Sequence, residues 1–105
     1  MHTIKVKDFS EFPGPRFISL GPNSGEAFRE EVLIPAIRAH GNVIVDLDGT
    51  FGYGSSFLEE AFGGLARAGI QKEKILFLKK NLISTEDPTY ITEVSEYIDD
   101  SLKGV

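Results

Sequence analysis

The sequence predicts an α/β domain in which a mixed sheet of about four strands is packed by three helices. Short apolar runs of strand length alternate along the chain with longer segments whose apolar residues recur at helical spacing. Clusters of glycine and proline separate these segments, and neither a repeat nor a linker divides the chain. The predicted order is β-β-α-β-α-β-α, and residues 1–105 are expected to form a single domain with one core.

The first half of the chain supplies two predicted strands and one helix. Residues 3–7 alternate polar and apolar side chains, which is typical of a half-buried strand. Residues 17–20 form a second short apolar run, and we expect the two strands to pair. Asn23 or Ser24 then caps a helix, and Pro35 is expected to kink that helix or to split off its last turn.

The second half repeats the alternation of strand and helix. Residues 43–47 are almost continuously apolar, which is typical of a strand covered on both faces. Apolar spacing predicts a helix over residues 56–68, and the run at residues 75–78 predicts a fourth strand. Asp87 and Pro88 supply the cap and the first turn of a last helix. The core stripe of that helix comprises Ile91, Val94, Ile98 and Leu102.

The composition argues against several classes of function. With 41% hydrophobic and 26% charged residues, the chain is typical of a folded domain. Its net charge of −5, with the basic residues scattered, argues against nucleic acid as a partner. Cysteine is absent, and the positions of His2 and His40 indicate neither a metal site nor a cofactor. The sequence shows no signal peptide and no long apolar span, so we expect a cytoplasmic protein without membrane contact.

Asp46 and Asp48 follow the central predicted strand in the pattern D-x-D-G-T, which continues through Gly49 and Thr50. This pattern resembles the first motif of the haloacid dehalogenase-type phosphatases, in which the first aspartate accepts the phosphoryl group and the second acts as acid and base. The chemistry also needs Mg²⁺, a lysine and a further acidic pair, and no G-D-x-x-x-D stretch follows. We therefore interpret Asp46 as a strand end and Asp48-Gly49 as a turn with a positive φ angle. A phosphatase that uses Asp46 and Asp48 stays an alternative.

Ser56 and Glu59 form the pattern S-x-x-E before an apolar helical run, which predicts a capping box. The same stretch, Gly54-Ser55-Ser56 at the start of a helix, also resembles the STAS domains of the anti-sigma-factor antagonists. There a D-S-S-G stretch opens a helix, and a partner kinase of the histidine-kinase-like ATPase type phosphorylates one of its serines. The resemblance implies Ser55 and Ser56 as candidate phosphoacceptors. Gly54 stands where the antagonists have aspartate, and Phe57 stands where they have glycine.

A closer resemblance covers the chain from about Pro13 to Leu65. The run V-D-x-D-G followed by G-x-S-F-L-E-E-A-F is similar to the STAS-like domain of unknown function, a bacterial and phage-borne family. The stretches P-G-P-R-F and N-S-G-E-A-F-R-E-E-V fit this family as well. The resemblance implies a STAS-like single domain that acts as a regulatory or protein interaction module and not as an enzyme. Its implied partner is an ATPase or kinase of the histidine-kinase-like class.

Residues 48–57 and the exposed face of the following helix form the predicted contact surface for that partner. Aromatic residues between glycines are typical interface anchors, although Phe51 is equally expected to fold back over the sheet edge, and Tyr53 less so. A binder of a small ligand such as a nucleotide at the strand ends and a structural homo-oligomer stay open as alternatives. The candidate contact residues are Asp48, Gly49, Phe51, Gly52, Tyr53, Gly54 and Phe57.

Overall fold

The computed structural model describes residues 2–104 and shows a small α/β domain built on a two-stranded parallel sheet. Strand β1 (His2–Lys5) pairs with strand β2 (Val43–Asp46), with His2 opposite Val43. On the other side of β2, Ile83 makes a single parallel bridge to Asp46. The sheet among the described residues is therefore smaller than the predicted sheet of about four strands.

Helices cover this sheet and form most of the domain. Two long helices each contain a central π segment, and we name the α-helical parts on either side of it separately. The α-helices are α1 (Val6–Phe9), α2 (Gly25–Phe28), α3 (Ile34–His40), α4 (Ser55–Leu58), α5 (Gly64–Arg67), α6 (Lys72–Lys80) and α7 (Thr89–Lys103). The π segments are Arg29–Leu33, between α2 and α3, and Glu59–Gly63, between α4 and α5. No helix within residues 2–104 is long and apolar enough to cross a membrane.

Two predicted strands are wrong. Residues 17–20 do not pair with β1, because the described partner of β1 is β2; instead Ile18–Leu20 form an exposed 3₁₀ turn. The apolar run at 75–78 lies within α6, where Ile75 and Leu78 are one helical turn apart and both are buried. Lysine and glutamate residues around this run are good helix formers, and a short apolar run does not by itself distinguish a strand from a buried helix.

The predicted helices are close to the observed ones. Ser24 caps α2, since its Oγ accepts a hydrogen bond from the N–H of Ala27 at 3.0 Å. The first π segment ends just before Ile34, next to Pro35. A proline lacks the N–H for the usual helical bond and its ring crowds the carbonyl one turn earlier, so Pro35 explains the widened turn. The helix nevertheless continues to His40.

The core lies between the sheet, the two long helices and α7. Its largest fully buried side chains include Phe28, Phe57 and Phe62, whose rings contact one another through Phe28. From α7, Val94 and Ile98 are buried in the same cluster, as the predicted stripe requires. The loop that follows β2 leaves this core at the carboxyl end of the strand, which is where α/β sheets usually place their sites.

Candidate functional site

Asp48 anchors the loop after β2 to the segment that precedes α7. Its Oδ2 accepts hydrogen bonds from the N–H and the hydroxyl of Thr85 at 3.1 and 2.5 Å, and its Oδ1 accepts from the N–H of Glu86 at 3.0 Å. These bonds, that of the Thr85 hydroxyl foremost, lower the pKa of Asp48. Asp46 Oδ1 accepts from the N–H of Asp48 at 2.9 Å, which forms a turn at the strand end. Both aspartates therefore shape the backbone.

Two glycines allow the loop to turn sharply. Gly49 has a φ of +90°, which confirms the predicted positive angle, and its N–H donates to Glu86 Oε1 at 2.7 Å. Gly52 has a φ of +117°, and both angles lie in a region that side-chain-bearing residues rarely adopt. The loop is thus fixed by its own conformation and by hydrogen bonds to Thr85 and Glu86.

Tyr53 packs inward, so the expectation that it stays at the surface is wrong. Its hydroxyl donates to the carbonyl of Leu47 at 2.7 Å, and its ring meets the Tyr90 ring edge to face, with centroids 5.0 Å apart. Burial raises the pKa of Tyr53 to about 12. Tyr53 therefore closes the loop against the core.

Phe51 faces outward and forms an exposed aromatic pair with Phe12. The side chains are 75% and 64% exposed, and their rings stack in parallel with centroids 4.6 Å apart. The N–H of Phe51 donates to the carbonyl of Glu11 at 2.8 Å, which ties the loop to the segment that carries Phe12. We call Phe12 and Phe51 the aromatic platform. Sequence reasoning missed Phe12, and the only available signal was an aromatic side chain in a proline- and glycine-rich connection.

A shallow cavity of about 220 Å³ adjoins the platform. Three carboxylates line it, and its wall also includes the ring of Tyr90 from α7. This volume lies below the usual range for pockets that enclose a drug-sized molecule, roughly 300 to 1,000 Å³, so it does not favour the nucleotide alternative. Its lining includes Asp48, Thr50, Phe51, Glu86, Asp87 and Tyr90.

Ser55 and Ser56 are exposed in the first turn of α4, but the predicted capping box is wrong. The helix begins one residue earlier than expected, so that Gly54 is the N-cap residue and Ser56 is already helical. Glu59 instead accepts hydrogen bonds from Arg67 at 2.8 and 3.0 Å and from Arg16 at 2.6 Å. The phosphoacceptor role of the two serines stays a prediction, and both side chains are accessible to an enzyme.

Phe57 is fully buried, so its predicted role as a partner contact is wrong. Its ring packs between those of Phe28 and Tyr53, with centroid distances of 6.0 and 5.8 Å. The residue follows two exposed serines in the first turn of α4, and the helix turns its side chain toward the core. Within the predicted surface, the structure thus leaves Phe51 as the outward-facing aromatic side chain.

An arginine–glutamate cluster joins the two π segments, and sequence reasoning missed it. Arg29 Nη1 donates both to Oε2 and to the backbone carbonyl of Glu60, each at 2.6 Å. Arg16 adds a contact of 3.2 Å to Glu60 Oε1. The side chains of Arg29 and Glu60 are each only 11% exposed, and the guanidinium occupies the space above Gly64. The cluster therefore fixes how the long helices pack against each other.

The geometry around Asp46 and Asp48 gives no further support to the phosphatase alternative. Within residues 2–104, no group of three or more His, Cys, Asp or Glu side chains is placed to hold a metal ion. Both carboxylates already accept hydrogen bonds from the chain itself. A nucleophilic aspartate would also need charge-neutralising neighbours.

Together the fold and the loop define a small α/β domain that presents a preorganised surface loop. A family model described as the STAS-like domain of unknown function (DUF4325) matches residues 24–84, and the chain belongs to that family. The match confirms the closer of the two resemblances seen in the sequence. It spans both long helices, β2 and the whole loop. Neither a curated protein nor a solved structure matches the chain significantly.

Proposed function

We propose that this domain is a non-enzymatic protein interaction module with a regulatory role, and that it binds a partner protein through residues 48–57. The observation that carries the proposal is the aromatic platform. A large aromatic side chain that is 75% exposed and held in one position is a typical interface anchor.

The loop is well suited to binding because it is ordered before the partner arrives. Asp48 and Gly49 are hydrogen bonded to the segment at 85–86, and Tyr53 is bonded to Leu47. Ordering a flexible loop costs free energy upon association, and a preformed loop avoids much of that cost. The exposed start of α4, with Ser55 and Ser56, borders the same loop and extends the proposed surface.

In this proposal the partner is of the ATPase or kinase type, because the start of α4 resembles the corresponding stretch of the anti-sigma-factor antagonists. In this proposal the partner also phosphorylates Ser55 or Ser56. Incubation of the purified partner with ATP is expected to add one phosphate to this chain, located by mass spectrometry. Ser55→Ala and Ser56→Ala variants, single and double, identify the acceptor, and an unmodified wild-type chain would remove phosphorylation from the proposal while leaving binding intact.

Site-specific crosslinking in cells tests the docking surface. A benzophenone side chain in place of Phe51 is expected to capture a partner protein, because the residue it replaces is 75% exposed at the centre of the surface. The matched control is the same group in place of Leu76, an exposed apolar residue on α6 that is 39% exposed. The captured protein is then purified, and its affinity is measured by fluorescence anisotropy with wild type, Phe51→Ala and Leu76→Ala.

We expect Phe51→Ala to weaken binding of the partner by roughly 1 to 2 kcal/mol, and we expect Leu76→Ala to have little effect on that binding. Equal affinity for wild type and Phe51→Ala would place the interface elsewhere. Crosslinks only between copies of this chain would favour the homo-oligomer alternative, which size-exclusion chromatography with light scattering then tests.

A further inference from the structure

We propose that the aromatic platform and the adjoining acidic cavity receive an arginine side chain carried by an apolar segment of the partner protein. This inference rests on the proposed function and specifies the chemistry of the partner. The platform supplies a flat apolar face, and the cavity supplies negative charge directly beside it.

The platform geometry matches a guanidinium group. The rings of Phe12 and Phe51 are parallel within 1°, and their high exposure leaves aromatic surface for a further stacked group. A guanidinium is planar, weakly hydrated compared with an ammonium, and stacks readily on an aromatic face. The exposed faces of the two rings are themselves apolar, so apolar residues that flank the arginine can pack against them.

The charge of the cavity selects a cation. Asp48, Glu86 and Asp87 contribute three carboxylates to its lining, and none of the described residues that line it is Lys or Arg. One cation, Lys7, lies close to the loop, with its aliphatic stem over Gly49. Three carboxylates against one lysine leave this surface negative, so it attracts a basic segment and repels an acidic one.

The carboxylates retain acceptor capacity for such a ligand. Glu86 uses Oε1 to accept the N–H of Gly49, and Asp87 uses Oδ1 to accept from Thr89 at 3.1 Å. An ionised carboxylate has about four acceptor sites, so each can still bind a guanidinium N–H. Arginine donates from a rigid fork and can contact a carboxylate while it stacks, whereas lysine offers a single strongly hydrated charge.

The test uses three matched peptides: acetyl-Leu-Arg-Leu-amide, its lysine version and its citrulline version, in which a neutral urea replaces the guanidinium. Each is titrated into the full chain labelled with ¹⁵N, and amide shifts are followed by NMR. The arginine peptide is expected to cause saturable shifts centred on Thr50–Gly52 and on Thr85 and Glu86. It should bind at least about fivefold more tightly than the citrulline peptide.

Two variants with matched controls locate the site. Phe51→Ala removes half of the platform, and Leu76→Ala removes an exposed apolar side chain elsewhere. Glu86→Gln removes a charge while its amide oxygen can still accept from Gly49, and Glu73→Gln removes an exposed charge on α6. Only Phe51→Ala and Glu86→Gln are expected to lower the affinity for the arginine peptide, each by about threefold or more.

The outcomes separate this inference from the proposed function. Equal affinities for arginine and citrulline, or shifts that leave residues 50–52 and 85–86 unchanged, would overturn the arginine site. If Phe51→Ala still weakens binding of the crosslinked partner in that case, the proposed interaction module stands without the arginine site. If Phe51→Ala leaves the affinity for that partner unchanged while the arginine peptide binds, then the arginine site exists but the partner does not dock through residues 48–57.

Discussion

At the scale of single residues, two aromatic side chains in one loop point in opposite directions. Tyr53 is bonded to Leu47 and packed on Tyr90, whereas Phe51 lies on the surface against Phe12. The contacts of Tyr53 indicate a role in stability, whereas the exposed Phe51 is the residue that we propose for recognition. Substitutions at these two positions should therefore separate folding from binding.

Tyr53→Phe is expected to lower the free energy of unfolding. It removes the hydroxyl that donates to the Leu47 carbonyl, and the loss of such a hydrogen bond costs about 1 kcal/mol. Urea titration followed by circular dichroism measures the change. Phe51→Ala is the comparison and should stay within about 0.5 kcal/mol of wild type, because its side chain is mostly exposed. A larger loss of stability for Phe51→Ala than for Tyr53→Phe would show that Phe51, and not Tyr53, holds the loop in the fold.

Asp48 makes the stability of the domain depend on acid pH. Its pKa is lowered in the folded state, so its contribution is fully present above the unfolded pKa of about 3.9 and is lost as the pH falls through the folded value. We expect Asp48→Asn to be less stable than wild type at pH 7. The difference should shrink as urea titrations are repeated at decreasing pH below about 4, where the unfolded chain takes up a proton at Asp48 while the folded carboxylate stays ionised to a lower pH. A difference that is constant with pH would show that charge plays no part.

The sequence identified the loop but not the direction of each side chain. Its alternatives for Phe51 and Tyr53 depended on contacts with Phe12 and Tyr90, which lie far away in the chain. The capping box is absent because α4 begins at Ser55 and because Glu59 is bound instead by Arg67 and Arg16, which lower its pKa. A short sequence pattern reflects interactions between neighbouring residues only. Here contacts with residues far away in the chain determine where each side chain lies.

At the scale of elements, the two π segments face each other across the arginine–glutamate cluster. The backbone carbonyl of Glu60 lies within the second π segment and accepts from Arg29 in the first. The widened turns thus lie at the point where the first long helix is hydrogen bonded to the second. π segments of this kind are often found at positions with a specific role.

Gly64→Ala tests this packing. Alanine is normally the better helix former, but here its methyl group would displace the Arg29 guanidinium, and we expect a loss of about 1 to 2 kcal/mol. In an Arg29→Ala background the space is free, and the same change should gain up to about 1 kcal/mol from helix propensity. Urea titration of wild type, the two single variants and the double variant measures the free energy of unfolding for this double-mutant cycle. The same sign in both backgrounds would mean that Arg29 does not occupy this space.

Helices were more readable from the sequence than strands. The helix expected at 56–68 differs from the observed start at Ser55 and end at Arg67 by one residue at each end, because its apolar spacing spans several turns. The strand expected at 75–78 is helical, since four apolar residues contain too little periodicity to decide. Short elements depend on tertiary packing, which a single pattern does not encode.

At the scale of the whole molecule, the α/β class and the family were accessible from the sequence, whereas the sheet was not. The partner of β1 is β2, reached through the first long helix, instead of the nearer run at 17–20. A parallel pair needs a crossover connection, and the helix between Gly25 and His40 supplies it. The predicted pairing of neighbours in sequence overlooked this requirement.

The whole domain is expected to be catalytically silent. Purified protein with Mg²⁺ should not hydrolyse para-nitrophenyl phosphate above background, because Asp46 and Asp48 serve the backbone turn and lack the other phosphatase groups. The release of para-nitrophenol measures the rate, with Asp46→Asn as the matched control. Turnover in wild type that disappears in Asp46→Asn would replace the interaction module with the phosphatase alternative.

The parallel pairing of β1 with β2 also sets an order of events in folding. His2 lies opposite Val43, so closing this pair brings together residues about forty positions apart, and loop closure of that length is entropically costly. The helix between the strands is built from local contacts and can form on its own much earlier. We therefore expect β1 to be docked late, after the intervening helix has shortened the distance that the chain must span. Hydrogen exchange during refolding would then show protection at Ala36 and Ile37 before protection at Ile4.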